Sequence, residues 1–238
     1  LKMISLKSRS KEEEIMDGFS GDPADIEHAY RLIEKVNRFL GGTRVVLRYL
    51  KRYSRRWPAG ATIRILDLGS GATDIPRAIV DWARKKNLKI RVFALDILAE
   101  ALRYSRNKLR DYPEIRFVQA SALDLPFGKE SFDYVISSMF FHHLDEELLV
   151  KVLGEADRTA RRGIIVNDLL RYWRAYLWIL FFSCFTKNRM FKKDAPLSVL
   201  KGFRPREIRT LIQKTSLRYL KFHYHFGHRF ALTGERPA

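Results

Sequence analysis

The sequence predicts an α/β fold. A parallel sheet is covered on both faces, is preceded by a pair of N-terminal helices and ends in an antiparallel hairpin. Three observations predict it. From about residue 60 to residue 170, apolar β-prone segments alternate with helical ones, the pattern of parallel strands joined by crossover helices. The first of these strands runs directly into a glycine-rich turn, Asp67-Leu-Gly-Ser-Gly-Ala-Thr-Asp74. The last two apolar segments, Leu217 to Phe226 and Arg229 to Thr233, are separated only by Gly227-His228. A link that short joins antiparallel strands and no others.

Taken in order, residues 1 to about 20 are charged and carry few ordering signals, so a frayed start is expected. Asp22-Pro23 reads as a helix start, with Asp22 as cap and Pro23 in the first turn. Ile26, Ala29, Tyr30, Ile33, Val36 and Leu40 then recur at helical spacing up to Gly41-Gly42. A second helix from Thr43 to about Tyr53 carries Val46, Leu47 and Leu50 on one face. Both helices precede the first strand and are expected to cap the sheet, as a segment 1–58 before a main domain 59–238. Strands are expected at 62–68, 89–95, 116–119, 132–138 and 162–167, and helices at 75–86, 98–112, 145–160 and 205–215.

Composition sets the outer limits. The chain has 238 residues, 46% of them hydrophobic, enough for a substantial core. Its net charge of +18 implies attraction to anions such as nucleic acid, an anionic membrane or an acidic substrate, although solvated Lys and Arg account for it equally well. The same choice applies to the basic run from Arg44 to Arg56. The single Cys184 leaves no intramolecular disulfide and no thiolate cluster, which suits a reducing cytoplasm. Leu1 to Glu14 has no apolar core of the secretory kind, so no leader is expected. The longest apolar run, Ala175 to Phe185, falls short of the ~20 residues a membrane-spanning helix needs. Cations flank it, from Arg171 and Arg174 to Lys192 and Lys193. The segment near 170–200 therefore reads as an insert, either an apolar lid that can touch a membrane surface or a helix buried against the N-terminal cap.

The glycine turn is where a nucleotide-type cofactor is held, at the carboxyl end of a parallel strand. Gly69 and Gly71 permit a sharp turn and close backbone approach. Asp96 ends the second strand, where a carboxylate can accept both hydrogens of a ribose diol. A dinucleotide would place its pyrophosphate at the helix start and favour a third glycine there. Here the position is Thr73, followed by Asp74. An acid at that point disfavours phosphate and suits a cationic or zwitterionic ligand such as S-adenosylmethionine.

These segments resemble class I S-adenosylmethionine-dependent methyltransferases. Asp67 to Pro76 is similar to their first motif, Ala94-Leu95-Asp96 to their second-strand acid, and Ala122 to Phe127 followed by Ser131 to Val135 to the segment entering the fourth strand. Phe141-His-His-Leu144 is similar to the motif after that strand in small-molecule members. The resemblance spans roughly residues 60 to 235 and is greatest toward the quinone- and phenol-modifying methyltransferases of ubiquinone and menaquinone biosynthesis. It implies a Rossmann-like seven-stranded sheet with a terminal antiparallel hairpin. It also implies S-adenosylmethionine as cofactor, with Asp67, Gly69 and Gly71 shaping the pocket for the methionine portion, Asp96 on the ribose and Ile97 against the adenine; Ser70 and Asp74 are further expected cofactor-binding residues. The family usually has an acid at the position of Ser121, so here the adenine contact is weaker or passes to the Ser121–Ala122 backbone. Ser137 and Ser138 fall near the methionine end.

The chemistry expected is in-line methyl transfer, with a base where the acceptor is a hydroxyl. His142 and His143 follow the fourth strand, and either serves as that base or as a structural partner. Asp168, after the fifth strand, either binds or deprotonates the acceptor or caps a helix starting at Leu169. The six histidines form no metal signature, and no metal is expected. The favoured acceptor is a small aromatic, quinone-like or lipophilic molecule, methylated on oxygen or else on carbon, by a cytoplasmic enzyme with peripheral membrane contact as a further expectation. The alternatives are a nucleic-acid methyltransferase, a non-catalytic cofactor-binding assembly protein and a nicotinamide dehydrogenase. The first lacks both an Asn/Asp-Pro-Pro-aromatic motif and a Pro-Cys nucleophile. The intact acids and glycines argue against the second, and Asp74 and the hairpin argue against the third.

Overall fold

In the computed structural model, which describes residues 6–18, 23–39 and 41–237, five strands run parallel: β1 (Thr62–Leu68), β2 (Lys89–Asp96), β3 (Ile115–Gln119), β4 (Phe132–Ser138) and β5 (Ala160–Leu169). β6 (Lys221–His225) and β7 (Arg229–Glu235) complete one seven-stranded sheet in the order β3-β2-β1-β4-β5-β7-β6, with β7 antiparallel to both β5 and β6. The link between the last strands is three residues, Phe226-Gly227-His228, one longer than expected because β6 ends at His225; Gly227 and His228 have positive φ, 76° and 53°. A loop of three residues is among the common hairpin connections.

Alternation along the central strands assigns each face its own core. Ile65, Tyr134 and Ile165 face α2 (Gly42–Tyr53) and α3 (Asp74–Lys85), packing on Val46, Leu50, Ile79 and Val80. Their neighbours Leu66, Val135 and Ile164 face α5 (Glu146–Thr159) and α8 (Pro205–Gln213), packing on Leu149, Val152, Leu153 and Ile208. α5 is started by Asp145, whose side chain accepts from the Leu148 amide at 3.0 Å. The topology change between β1 and β4 opens a crevice at the strands' carboxyl ends, where α/β sheets bind ligands.

The N-terminal helices divide. α1 (Pro23–Phe39) lies beside the crevice, and Tyr30, Ile33, Val36 and Asn37 line it. α2 shares a core with α3 across the expected boundary at residue 58. Asp22 and Leu40, both included in the helical reading, lie outside the described residues.

β5 is longer than expected, and this corrects one reading. It pairs with β7 through Leu169, opposite Arg229, so no helix begins at Leu169 for Asp168 to cap. The next helix, α6 (Trp173–Cys184), starts four residues later and forms a hairpin with α7 (Arg189–Lys201) over the crevice. α4 (Ala99–Lys108) ends before the expected Tyr112, the residue that Pro113 biases away from helix. No helix among the described residues is long and apolar enough to cross a membrane.

Candidate active site

The crevice is a cavity of about 1070 Å³. Its floor is the carboxyl edge of β1, β2 and β4, and its walls are the start of α3 together with α1, α6 and α7. That size suits a nucleoside cofactor with a second small molecule beside it.

At one end three aspartates converge. Asp67 closes β1 and is buried; its Oδ2 accepts from Ser70 Oγ at 2.7 Å, while Oδ1 has no hydrogen-bond partner among the described residues. Burial, with Asp74 and Asp96 nearby, pushes its carboxyl up to about 8. Asp74 opens α3, and burial with Glu34 close by pushes it up to about 6, although Asn37 hydrogen-bonds it. Asp96 closes β2; its Oδ2 accepts from the Gly71 amide at 2.7 Å and its Oδ1 from the Leu98 amide at 3.0 Å. Burial raises its pKa, and those amides oppose the shift. Three carboxyl groups crowd one space, and a ligand bearing positive charge and N–H donors favours their ionised forms.

The glycines make room for such a ligand. A Cβ on Gly69 (φ 65°) would sit 2.5 Å from the Phe140 ring, whereas one on Gly71 (φ 48°) would project into open space of the cavity. Ile97 is exposed and lines the cavity. Ser121, Ala122 and Ser138 line it too. The Ser121 hydroxyl accepts from the Leu123 amide, and that of Ser138 accepts from Asn167 Nδ2 at 2.8 Å. Ser137 is instead tied to the Leu68 carbonyl within the sheet.

At the other end the paired histidines sit on a short 3-10 turn, Phe141–His143, just after β4. His142 Nδ1 lies 2.7 Å from Asp168 Oδ1, and the His142 amide donates to Asp168 Oδ2. Burial alone would raise the Asp168 pKa. The His142 ring and the amides of Leu169 and His142 outweigh it and hold the carboxyl below its usual range. An ionised Asp168 can only accept, so Nδ1 carries the proton of this hydrogen bond. His143 lies against His142 with ring centroids 4.3 Å apart and planes tilted by 35°, and both line the cavity.

A residue that the sequence reading missed completes this cluster. Glu14 is buried, accepts from Ser198 Oγ at 3.0 Å, and places Oε1 3.8 Å from His142 Nε2 and 4.0 Å from His143 Nδ1. These ligand atoms all lie within 4.8 Å of one another, a spacing that could hold a metal ion. Lys201 Nζ stands 3.7 Å from the same carboxylate oxygen and competes for that role. Arg229 was missed as well. It lies fully buried at the cavity wall, where burial lowers its pKa to about 10, and it donates to Met139 Sδ at 2.9 Å. Arg171, expected among the cations flanking the apolar run, is buried too, bonded to the Leu6 and Gly202 carbonyls and to Glu207.

Comparison with known proteins bears on the cofactor end first. Residues 65–163, from β1 to the middle of β5, match the family described as a methyltransferase domain. Residues 65–163 therefore carry a methyltransferase domain. It is 26% identical over 137 residues to a demethylmenaquinone methyltransferase of Lysinibacillus sphaericus, covering 50% of this chain and 58% of that one. It is 37% identical over 87 residues to a ubiquinone/menaquinone biosynthesis C-methyltransferase of Wigglesworthia glossinidia brevipalpis, covering 35% and 34%. The chain thus spans less than two thirds of either curated relative. In fold it is similar to the plantazolicin methyltransferase BpumL, solved with its product cofactor SAH (TM-score 0.70, 13% identity, 94% and 93% coverage). It is also similar to a SAM-dependent methyltransferase from Aquifex aeolicus (TM-score 0.61, 16% identity, 91% and 99% coverage).

Proposed function

We propose that this methyltransferase domain transfers a methyl group from S-adenosylmethionine to the hydroxyl oxygen, or the activated ring carbon, of a small lipophilic phenol or quinol. One observation carries the reading. The orphaned, buried oxygen of Asp67 and the Asp168-oriented His142 face the same cavity from opposite ends.

When bound, S-adenosylmethionine supplies an electrophilic methyl on a sulfonium. Asp67 and Asp74 complement its positive charges, Asp96 receives the ribose hydroxyls and Ile97 covers the adenine. His142 Nε2 takes the proton of the acceptor hydroxyl, and Asp168 stabilises the imidazolium that results. The phenolate is the better nucleophile both at oxygen and at the ring carbons conjugated with it, so one base serves either outcome. Apolar walls from α1, α6 and α7, including Ile33, Trp178, Ile179 and Phe191, keep water from the reacting pair and favour an aromatic or alkyl-bearing acceptor.

The supporting test is calorimetric titration of the full chain with S-adenosylmethionine and, separately, with NAD. Binding of the first in the micromolar range and no heat from the second is the expected result. Binding of NAD alone would sink the reading.

A further inference from the structure

The outer face of α6 is uncovered among the described residues. The helix packs Ala175, Tyr176 and Ile179 inward against Leu169, Phe191 and Val199. Trp173, Leu177, Trp178, Phe181, Phe182 and Phe185 are exposed, from 49% for Phe182 to 74% for Phe185. Soluble surfaces rarely leave so continuous an aromatic face open. At 12 residues, or about 18 Å of helix, α6 lies along a boundary and does not cross one.

Two further features identify the occupant. Beside the start of α6 is a second groove of about 560 Å³, lined by Arg204, Arg206 and Arg209 together with Tyr172, Trp173 and Tyr224. It is a cationic, aromatic-rimmed recess of the kind that takes a phosphate diester. Beyond the other end of α6, Lys187, Arg189, Lys192 and Lys193 are exposed, while the sole acid between residues 170 and 204, Asp194, is buried. Its carboxylate accepts from the Ile15 and Met16 amides. Cations at both ends of an aromatic helix match a bilayer with anionic headgroups.

We propose that α6 docks on an anionic phospholipid membrane, its aromatic face among the acyl chains and Arg206 and Arg209 on headgroup phosphates. Trp178 and Phe182 belong both to this face and to the lining of the active-site cavity. Docking therefore turns one wall of the cavity toward lipid, and an acceptor with an alkyl tail reaches the site from the bilayer. That loading route rests on the methyltransferase reading, whereas the docking does not.

The test is co-sedimentation of the full chain with phosphatidylcholine vesicles prepared with and without phosphatidylglycerol. Partition onto the anionic vesicles is expected, with a blue shift of tryptophan fluorescence. Leu177→Gln/Phe181→Gln/Phe185→Gln, three exposed positions outside the cavity, lowers the partition coefficient at least tenfold with the melting temperature unchanged. Arg206→Gln/Arg209→Gln lowers it on anionic vesicles only. Undiminished binding of the apolar triple variant would show mere adsorption of a basic protein and overturn the proposal. Absence of binding to either vesicle overturns it too, as does a wild-type dimer that the triple variant converts to monomer. Cofactor titration without vesicles reports on the methyltransferase reading separately.

Discussion

The two ends of the cavity are built in opposite ways. The cofactor end comes from one contiguous stretch, Asp67 to Asp74, and the end of the adjacent strand at Asp96, whose carboxylate holds the Gly71 amide. The end proposed for the acceptor gathers Glu14, His142, Asp168 and Ser198, the first and the last in contact although 184 positions apart. A local turn fixes the chemistry of the first end wherever the fold places it. The second exists only once α1, α6, α7 and the N-terminal segment have packed. The contrast teaches that one end can be read from a local motif, while the other depends on packing between segments distant in sequence.

That contrast can be broken by substitution. The largest effect is expected from His142→Asn. It lowers the turnover of a phenolic or quinol acceptor by about 10²–10⁴ and leaves cofactor affinity unchanged in calorimetry. A parallel loss of cofactor affinity would mean that the two ends are not separable. Asp96→Ala has the converse signature, weakening cofactor binding by roughly 100-fold through lost charge-assisted hydrogen bonds. Unaltered affinity would remove the ribose assignment.

Next is Asp67→Asn, read as stability. The unfolded carboxyl ionises near 3.8, while in the fold it keeps its proton to about 8. The folded state therefore binds more protons in that window, and the empty protein loses stability as pH rises from about 4 to about 8. Asp67→Asn flattens that slope and stabilises the empty protein at pH 8 by about 1–3 kcal/mol in chemical denaturation, at the expense of cofactor binding. A steeper slope in the variant contradicts the account. The smallest effect is a null: with Lys201 Nζ at the Glu14 carboxylate, EDTA leaves turnover unchanged. A loss restored by added zinc would reassign Glu14, His142 and His143 as ligands.

The same contrast explains what the sequence made legible. β1 to β5, the hairpin and the cofactor acids follow from short-range patterns: a two-residue alternation, a strand ending in an acid, a glycine turn. Glu14 stood in a charged run that reads as solvated, and only the apolar Ile15-Met16 after it signalled burial. Arg171 and Arg229 look like surface cations in a chain of net charge +18. Only tertiary contacts, with the Gly202 carbonyl and Glu207 for Arg171 and with Met139 for Arg229, show them to be interior. For Asp168 the sequence leaves an acceptor role and a helix cap both open. The extension of β5 through Leu169 removes the cap reading and gives the carboxylate to His142.

The most direct test of the central claim is the pH dependence of cofactor binding, measured by calorimetry in buffers of different ionisation enthalpy. If Asp67 must ionise to meet the cofactor's ammonium, affinity for S-adenosylmethionine rises from pH 6 to pH 8, and about one proton is released on binding near pH 7. An affinity flat across that range, with no proton released, would contradict it.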